Sequence, residues 1–304
     1  MTGSTSLLDA SSFGGKVALI APAAAIANDA LETTYARLRE MEVPYVAGEH
    51  VQARHRYLAG TVDQRLADVY AAFENPEVSA VWCLRGGYGC AQLLPYLDWK
   101  RIRRAGPKPL IGFSDISIML SAFHRQSLPA VHGQVATSLA KRYDGEEQLR
   151  HENSFRSLDR LLRTAGGHLP AQPVNHSLKS IQGPLIGGNL TALASTEGTG
   201  YGLYAPDGAI LILEDVGEPY YRIERSLWQL LNSIDIARLG AVCLGTFTDC
   251  PRKGVVHSLQ EIIAEWLEPY GVPLFSGLPS GHGPDNQAWP YGQEARLDHD
   301  GLHW

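Results

Sequence analysis

Strand-like and helix-like segments alternate along the first half of this chain, and that alternation restricts the fold more than any other feature. "VALIA" (17–21) reads as a buried strand, Leu31 to Met41 as a helix, "VPYVAG" (43–48) as a strand and "VDQRLADVYAAFEN" (62–75) as an amphipathic helix. "VSAVWCL" (78–84) is again strand-like and runs into the glycine loop "RGGYG" (85–89). "CAQLLPYLDW" (90–99) reads as helical, "PLIGF" (109–113) as the next strand and "ISIMLSAFHRQ" (116–126) as its helix. Repeated strand-then-helix units argue for a mainly parallel sheet covered by helices on both faces. Ligands of such sheets bind at the carboxyl ends of the strands, where both "RGGYG" and "GFSD" (112–115) fall.

The helix "SFRSLDRLLRTAG" (154–166) closes an N-terminal domain at about residue 167. Residues 168–183 are polar, contain proline and show no periodicity, so they read as a linker. A smaller C-terminal domain, α/β or α+β, is expected over 184–304. Its segments are "LIGGNLTALAS", the strand "AILILEDV", the helix "YYRIERSLWQLLNSI", the strand "LGAVCLGTF" and the helix "SLQEIIAEWLEPY".

Composition removes several function classes. A formal net charge of −6 offers no basic excess for a phosphate backbone, so nucleic acid is not expected as a partner. No run approaches the roughly 20 apolar residues of a membrane span, and the N-terminus lacks the pattern of a signal peptide. Cys83 and Cys90, and again Cys243 and Cys250, are spaced more widely than zinc ligand pairs and have no clustered histidines. Free thiols in a cytoplasmic protein are expected, with no metal and no cofactor.

Ser114 sits where a strand turns into a helix, so it is either a helix cap or a nucleophile exposed by a sharp turn. A serine hydroxyl needs a base. Of the 11 histidines, His151, His168, His176, His299 and His303 lie in polar or terminal contexts and read as solvated, while His124 and His132 read as core or helix-surface residues. His282 lies among glycines and prolines in "SGLPSGHGPDNQAWPYG", as expected of a shaped loop. At the end of "AILILEDV", Glu214 and Asp215 interrupt an apolar run, and a carboxylate there either marks the strand leaving the core or orients a histidine. Glu218 and Glu224 look less suited. Gly86 and Gly87 are either plain turn residues or a means of bringing backbone N–H groups close to an oxyanion. Phosphate binding by the glycine loops, as in a nucleotide or sugar-phosphate module, stays open at this point.

Taken in order, "RGGYG" with "LLPYLDW", "GFSD", "GPLIGGNLTAL", "LEDVGEPYYRIER" and "GHGPDNQAWPYG" resemble the LD-carboxypeptidase family of serine peptidases over about residues 17–297. The resemblance implies that Ser114 is the nucleophile, His282 the general base and Glu214 its orienting acid. It also implies an oxyanion hole of backbone amides at Gly86, Gly87 and Asp115. Because Ser114 precedes the linker while Glu214 and His282 follow it, the site is expected in a cleft between the domains. One branch of the family removes the terminal D-alanine of murein tetrapeptides. Another, the microcin immunity peptidases, cleaves acyl-aminoacyl nucleotides and typically carries a different glycine loop; retention of "RGGYG" favours the murein branch. A catalytically silent binding protein of the same fold is the remaining alternative. Arg85 is either a binder of the substrate carboxylate or a structural ion-pair residue. Trp289 and Cys90 depart from the family's usual residues and are expected to bear on the substrate pocket. Homodimerisation is left open.

Overall fold

The computed structural model describes residues 6–164, 166–175 and 180–304. Five parallel strands, β1 (Lys16–Ile20), β2 (Tyr45–Ala47), β3 (Val78–Cys83), β4 (Leu110–Gly112) and β5 (Ala130–His132), form a sheet in the order β2-β1-β3-β4-β5. Strand order reverses between β1 and β3, which is where sheets of this kind bind ligands. In β1, Val17 and Leu19 enter one apolar core while Ala18 and Ile20 enter the other. That two-sided burial explains the uninterrupted apolar run. Leu31 and Leu38 of α1 (Asn28–Glu40) and Phe155 and Leu158 of α5 (Gly145–Arg163) cover the first face. The second face is covered by α2 (Val62–Glu74), α3 (Trp99–Arg104) and α4 (Ser117–Arg125). A capping box between Thr61 and Gln64 starts α2.

Two local readings change. Residues 90–99 do not form one helix. They make two short 3₁₀ turns, Cys90–Gln92 and Leu94–Tyr96, before α3 begins at Trp99, because Pro95 lacks the N–H that a continuous helix requires. Helix α5 begins at Gly145, well before the expected Ser154.

The rest of the chain builds a second sheet. Its elements are β6 (His168–Leu169), β7 (Gln172–Pro173), β8 (Ile181–Asn189), α6 (Leu190–Ala194), β9 (Ile210–Val216), α7 (Tyr220–Leu231), β10 (Ala241–Thr248), α8 (Leu259–Leu267), β11 (Leu274–Ser276), β12 (Trp289–Tyr291), β13 (Glu294–Asp298) and β14 (Gly301–His303). Eight of these strands pair in the order β6-β14-β13-β8-β9-β10-β11-β7, with β8 to β11 parallel. The shorter half of the chain therefore carries the sheet with more strands. Residues 168–183, read as a linker, hold β6, β7 and the start of β8; two-residue strands have no period to detect. Residues 176–179, with His176, lie outside the described residues.

Strand β12 leaves the second half and pairs antiparallel with β5 at the edge of the first sheet, Trp289 opposite His132. One apolar core runs without a break from the α2–α4 face of the first sheet into the second sheet. No described helix is long and apolar enough to cross a membrane. All four cysteines are free, and Cys83, Cys90 and Cys243 are buried.

His151 differs from its solvated reading: it is buried, and its Nε2 donates to the Ser138 carbonyl at 2.9 Å. His132 is fully buried and stacked on Trp289 at 4.6 Å, with no hydrogen-bond partner for either ring nitrogen. Burial, with the neighbouring His282 adding to it, pushes its pKa from the ordinary 6.5 down to about 3. A depressed folded-state value means that this group's contribution is fully present above pH 6.5 and is lost as pH falls towards 3, at about 1.4 kcal/mol per unit. His132→Phe keeps the stack and removes no hydrogen bond. Urea unfolding at pH 7 and pH 5 is expected to give an acid loss about 2 kcal/mol smaller in the variant than in the wild type. An equal loss in both would assign the acid sensitivity elsewhere.

Candidate active site

Ser114 follows β4 with a backbone φ of +64°, in the left-handed region. Such a conformation costs a non-glycine residue on the order of 1 kcal/mol and turns the side chain out of the sheet. The turn continues as a single 3₁₀ turn, Ser114–Ile116, into α4. Close approach of the β3 loop makes this corner tight: a Cβ on Gly86 would lie 2.8 Å from the Ser114 Cβ and 3.0 Å from its Oγ. Only glycine fits there.

The loop that faces Ser114 is fixed from behind. The buried Asp115 carboxylate accepts the Cys90 N–H at 2.9 Å, tying the serine turn to the end of "RGGYG". Burial raises the Asp115 pKa. Arg65 of α2 is buried and donates from Nη1 to the carbonyls of Pro22 and Gly89, at 2.8 and 2.9 Å, and from Nη2 to Gln92. Among the described residues, no protein acceptor takes the Gly86 or Gly87 N–H. The Asp115 N–H belongs to the first helical turn, where donors lack an intrahelical partner.

Glu214 and Asp215 are adjacent on β9, so their side chains leave opposite faces of the sheet. The Asp215 carboxylate accepts from Asn189 Nδ2, from the Thr191 N–H and Oγ1, and from the Val216 N–H. It caps and anchors the turn from β8 into α6. Glu214 is completely buried, and its Oε2 accepts from His282 Nδ1 at 2.7 Å. Glu224 accepts from Trp266, and Glu218 lies 3.5 Å from Arg222; neither belongs to this cluster.

His282 reaches Glu214 because a bulge in β10 receives its loop. The pairing of β9 with β10 shifts register between Leu244 and Phe247, and there the Thr246 N–H donates to the Ser280 carbonyl at 2.7 Å. Gly245 allows the approach, since a Cβ on it would lie 2.2 Å from the Ser280 oxygen. Asn286 Oδ1 accepts the Gly281 N–H, while the Asn286 and Ala288 N–H groups donate to Ser154 and Ser157 on α5. The loop is thus held by both halves of the molecule. With Nδ1–H engaged by Glu214, His282 Nε2 accepts from Ser114 Oγ at 3.0 Å. Phe113 packs on the imidazole with ring centroids 4.9 Å apart.

A cleft of about 570 Å³ opens in front of Ser114, walled by residues that follow β1, β3, β4 and β5 on one side and by Val216 and His282 on the other. Arg85, Gly86 and Gly87 line it. Arg85 donates from Nη1 to the Ala25 carbonyl at 2.7 Å and has no carboxylate partner among the described residues. Trp289 and Cys90 do not line the cleft. Trp289 lies under His132 and Cys90 behind the glycine loop, both fully buried, so they act through packing and not through the pocket. A sequence signal for Arg65 existed: it stands on the buried stripe of α2 with Val69, Ala72 and Phe73, where a charge needs buried partners. Lys141, which also lines the cleft, gave none.

A hydroxyl held by an imidazole, whose other nitrogen is held by a buried carboxylate, is arranged for proton transfer from oxygen to nitrogen. Comparison with known proteins points the same way. The LD-carboxypeptidase N-terminal domain matches residues 17–133, and the LD-carboxypeptidase C-terminal domain matches residues 182–297. A Pseudomonas aeruginosa protein named murein tetrapeptide carboxypeptidase is 59% identical over 292 residues, covering 95% of each chain. The solved muramoyltetrapeptide carboxypeptidase from Oxalobacter formigenes superposes with a TM-score of 0.82 at 26% identity, over 95% of this chain and 97% of that one. A microcin C7 self immunity protein superposes with a TM-score of 0.83 over 96% and 95% of the two chains, and at 20% identity it shows the fold alone.

Proposed function

This chain belongs to the LD-carboxypeptidase family, and from that premise we propose that it is a serine peptidase that removes the terminal D-alanine from murein tetrapeptides, with Ser114 as nucleophile, His282 as general base and Glu214 as its orienting acid. The observation that carries the reading is the unbroken line of contacts from Ser114 through His282 to Glu214 at the cleft. Ser114 Oγ attacks the scissile carbonyl carbon as its proton passes to His282 Nε2. The backbone N–H groups of Gly86, Gly87 and Asp115 receive the oxyanion, and the helix that starts beside Ser114 adds positive potential there. Collapse of the tetrahedral species breaks the C–N bond, and the Nε2 proton goes to the departing amine of D-alanine. Water then enters and bonds to the acyl carbon as one of its protons passes to Nε2. Collapse of this second tetrahedral species breaks the acyl–Oγ bond, the Nε2 proton returns to Ser114 Oγ, and the shortened peptide leaves with a new carboxylate. Glu214 accepts the Nδ1–H throughout, which keeps Nε2 as the acceptor and stabilises the imidazolium.

Arg85 serves as a donor to a substrate carboxylate in this reading, supported by its free guanidinium edge in the cleft. The division into a nucleophile-bearing half (1–167) and a half bearing acid and base (184–304) is part of the proposal, as are a cytoplasmic setting in peptidoglycan recycling and a homodimer. Four free cysteines support the reducing compartment. Cleavage of an aminoacyl nucleotide, the alternative reading, is supported only by likeness in fold to a microcin C7 self immunity protein. The test is mass spectrometry of a murein tetrapeptide incubated with the protein. Loss of one alanine is expected. An unchanged peptide, with hydrolysis of an aminoacyl nucleotide instead, would reassign the substrate.

A further inference from the structure

We propose that Lys141 and Arg85 converge on one substrate carboxylate, the free terminal one, so that Lys141 determines the preference for cutting at a chain end. The inference rests on the murein tetrapeptide reading above and adds a second recognition residue to Arg85.

Among the residues lining the cleft, Arg85 and Lys141 are the charged side chains besides the titratable His282, and no aspartate or glutamate lines it. Neither cation belongs to an ion pair among the described residues, although the chain as a whole has a net charge of −6. Two unpaired cations in one cleft beside a nucleophile make a local field opposite to that of the molecule.

Their positions are coupled by the backbone. The Thr137 N–H and Oγ1 both donate to the carbonyl of Leu84, at 3.1 and 2.6 Å, and Leu84 directly precedes Arg85. The Ser138 carbonyl accepts from the buried His151, which holds the same segment against α5. Lys141 follows this anchored turn, and Arg85 is itself restrained by the Ala25 carbonyl. Lys141 is exposed at the cleft mouth, yet the protein around it, and after it the like charge of Arg85, lowers its pKa below the ordinary lysine value. Two like charges held together with no acid between them repel each other, and an anion set between them relieves both. A carboxypeptidase substrate brings such an anion to within one residue of the scissile bond. The guanidinium supplies a planar fork and the ammonium a point charge, which together fit one carboxylate.

Steady-state kinetics on the full-length protein test the assignment, with Lys141→Met and Lys141→Arg assayed on a murein tetrapeptide and on the same peptide with its terminal carboxylate amidated. On the free acid, Lys141→Met is expected to lose roughly tenfold in kcat/KM, mainly through KM, and Lys141→Arg to recover most of that loss. On the amide, Lys141→Met and the wild type are expected to differ by less than about twofold, because the partner charge is gone. An equal loss on both peptides, or no loss on the free acid with an unchanged melting temperature, overturns the inference. A wild-type protein that releases no D-alanine from the free acid would instead overturn the functional reading on which it rests.

Discussion

Ser114→Ala is expected to lower kcat by a factor of ~10⁴ or more while leaving the melting temperature nearly unchanged. The activity loss follows from removing the oxygen that His282 Nε2 holds at 3.0 Å. Stability should hardly respond, because alanine keeps the Cβ and therefore carries the same backbone strain at φ +64°. The space in front of Gly86 is likewise only relaxed by losing an oxygen. Purified Ser114→Ala that keeps more than about a tenth of wild-type turnover would remove Ser114 from the nucleophile's role.

Exchanging the two neighbouring acids of β9 separates catalysis from folding. Glu214→Gln is expected to lower kcat by a factor of ~10³ to 10⁴ with little change in KM. An amide at that position offers His282 Nδ1 a donor as readily as an acceptor, so the imidazole no longer keeps Nε2 free to take the serine proton. Asp215→Asn should do the opposite. It weakens the set of hydrogen bonds from Asn189, Thr191 and Val216, and about 1–3 kcal/mol of stability should go with it. Its kcat should stay within a few-fold of wild type, since the carboxylate faces away from His282. Measuring kcat and urea unfolding on both variants decides the matter, and a larger kcat loss in Asp215→Asn would reverse the assignment.

The contrast between these acids also marks the limit of reading the chain as a string. An apolar run ending in Glu-Asp says that one carboxylate faces each side of a strand, because side chains alternate along it. Which side meets the histidine depends on the register of β9 against β8 and β10, and on the bulge that admits the loop around Ser280. Short-period signals were similarly blind to β6 and β7, which exist only because β14 and β11 offer them an edge. Arg65 was visible as a charge on an apolar stripe, but its partners, the carbonyls of Pro22 and Gly89, lie on other elements.

By itself the sequence determined the alternating α/β order, the both-sided burial of the central strands, the strand-to-helix corner that carries Ser114 and the succession of serine, acid and histidine along the chain. These are local properties: hydrophobic period, a proline or glycine where a helix must stop, a polar residue where a strand ends. Tertiary structure alone decided that His282 meets Glu214 across 68 residues and Ser114 across 168, that β12 returns to the first sheet to stack Trp289 on His132, and that Lys141 shares a cleft with Arg85. Contacts of that separation carry no repeating signature, because they are fixed by how two sheets share a core and not by what neighbours a residue in the chain.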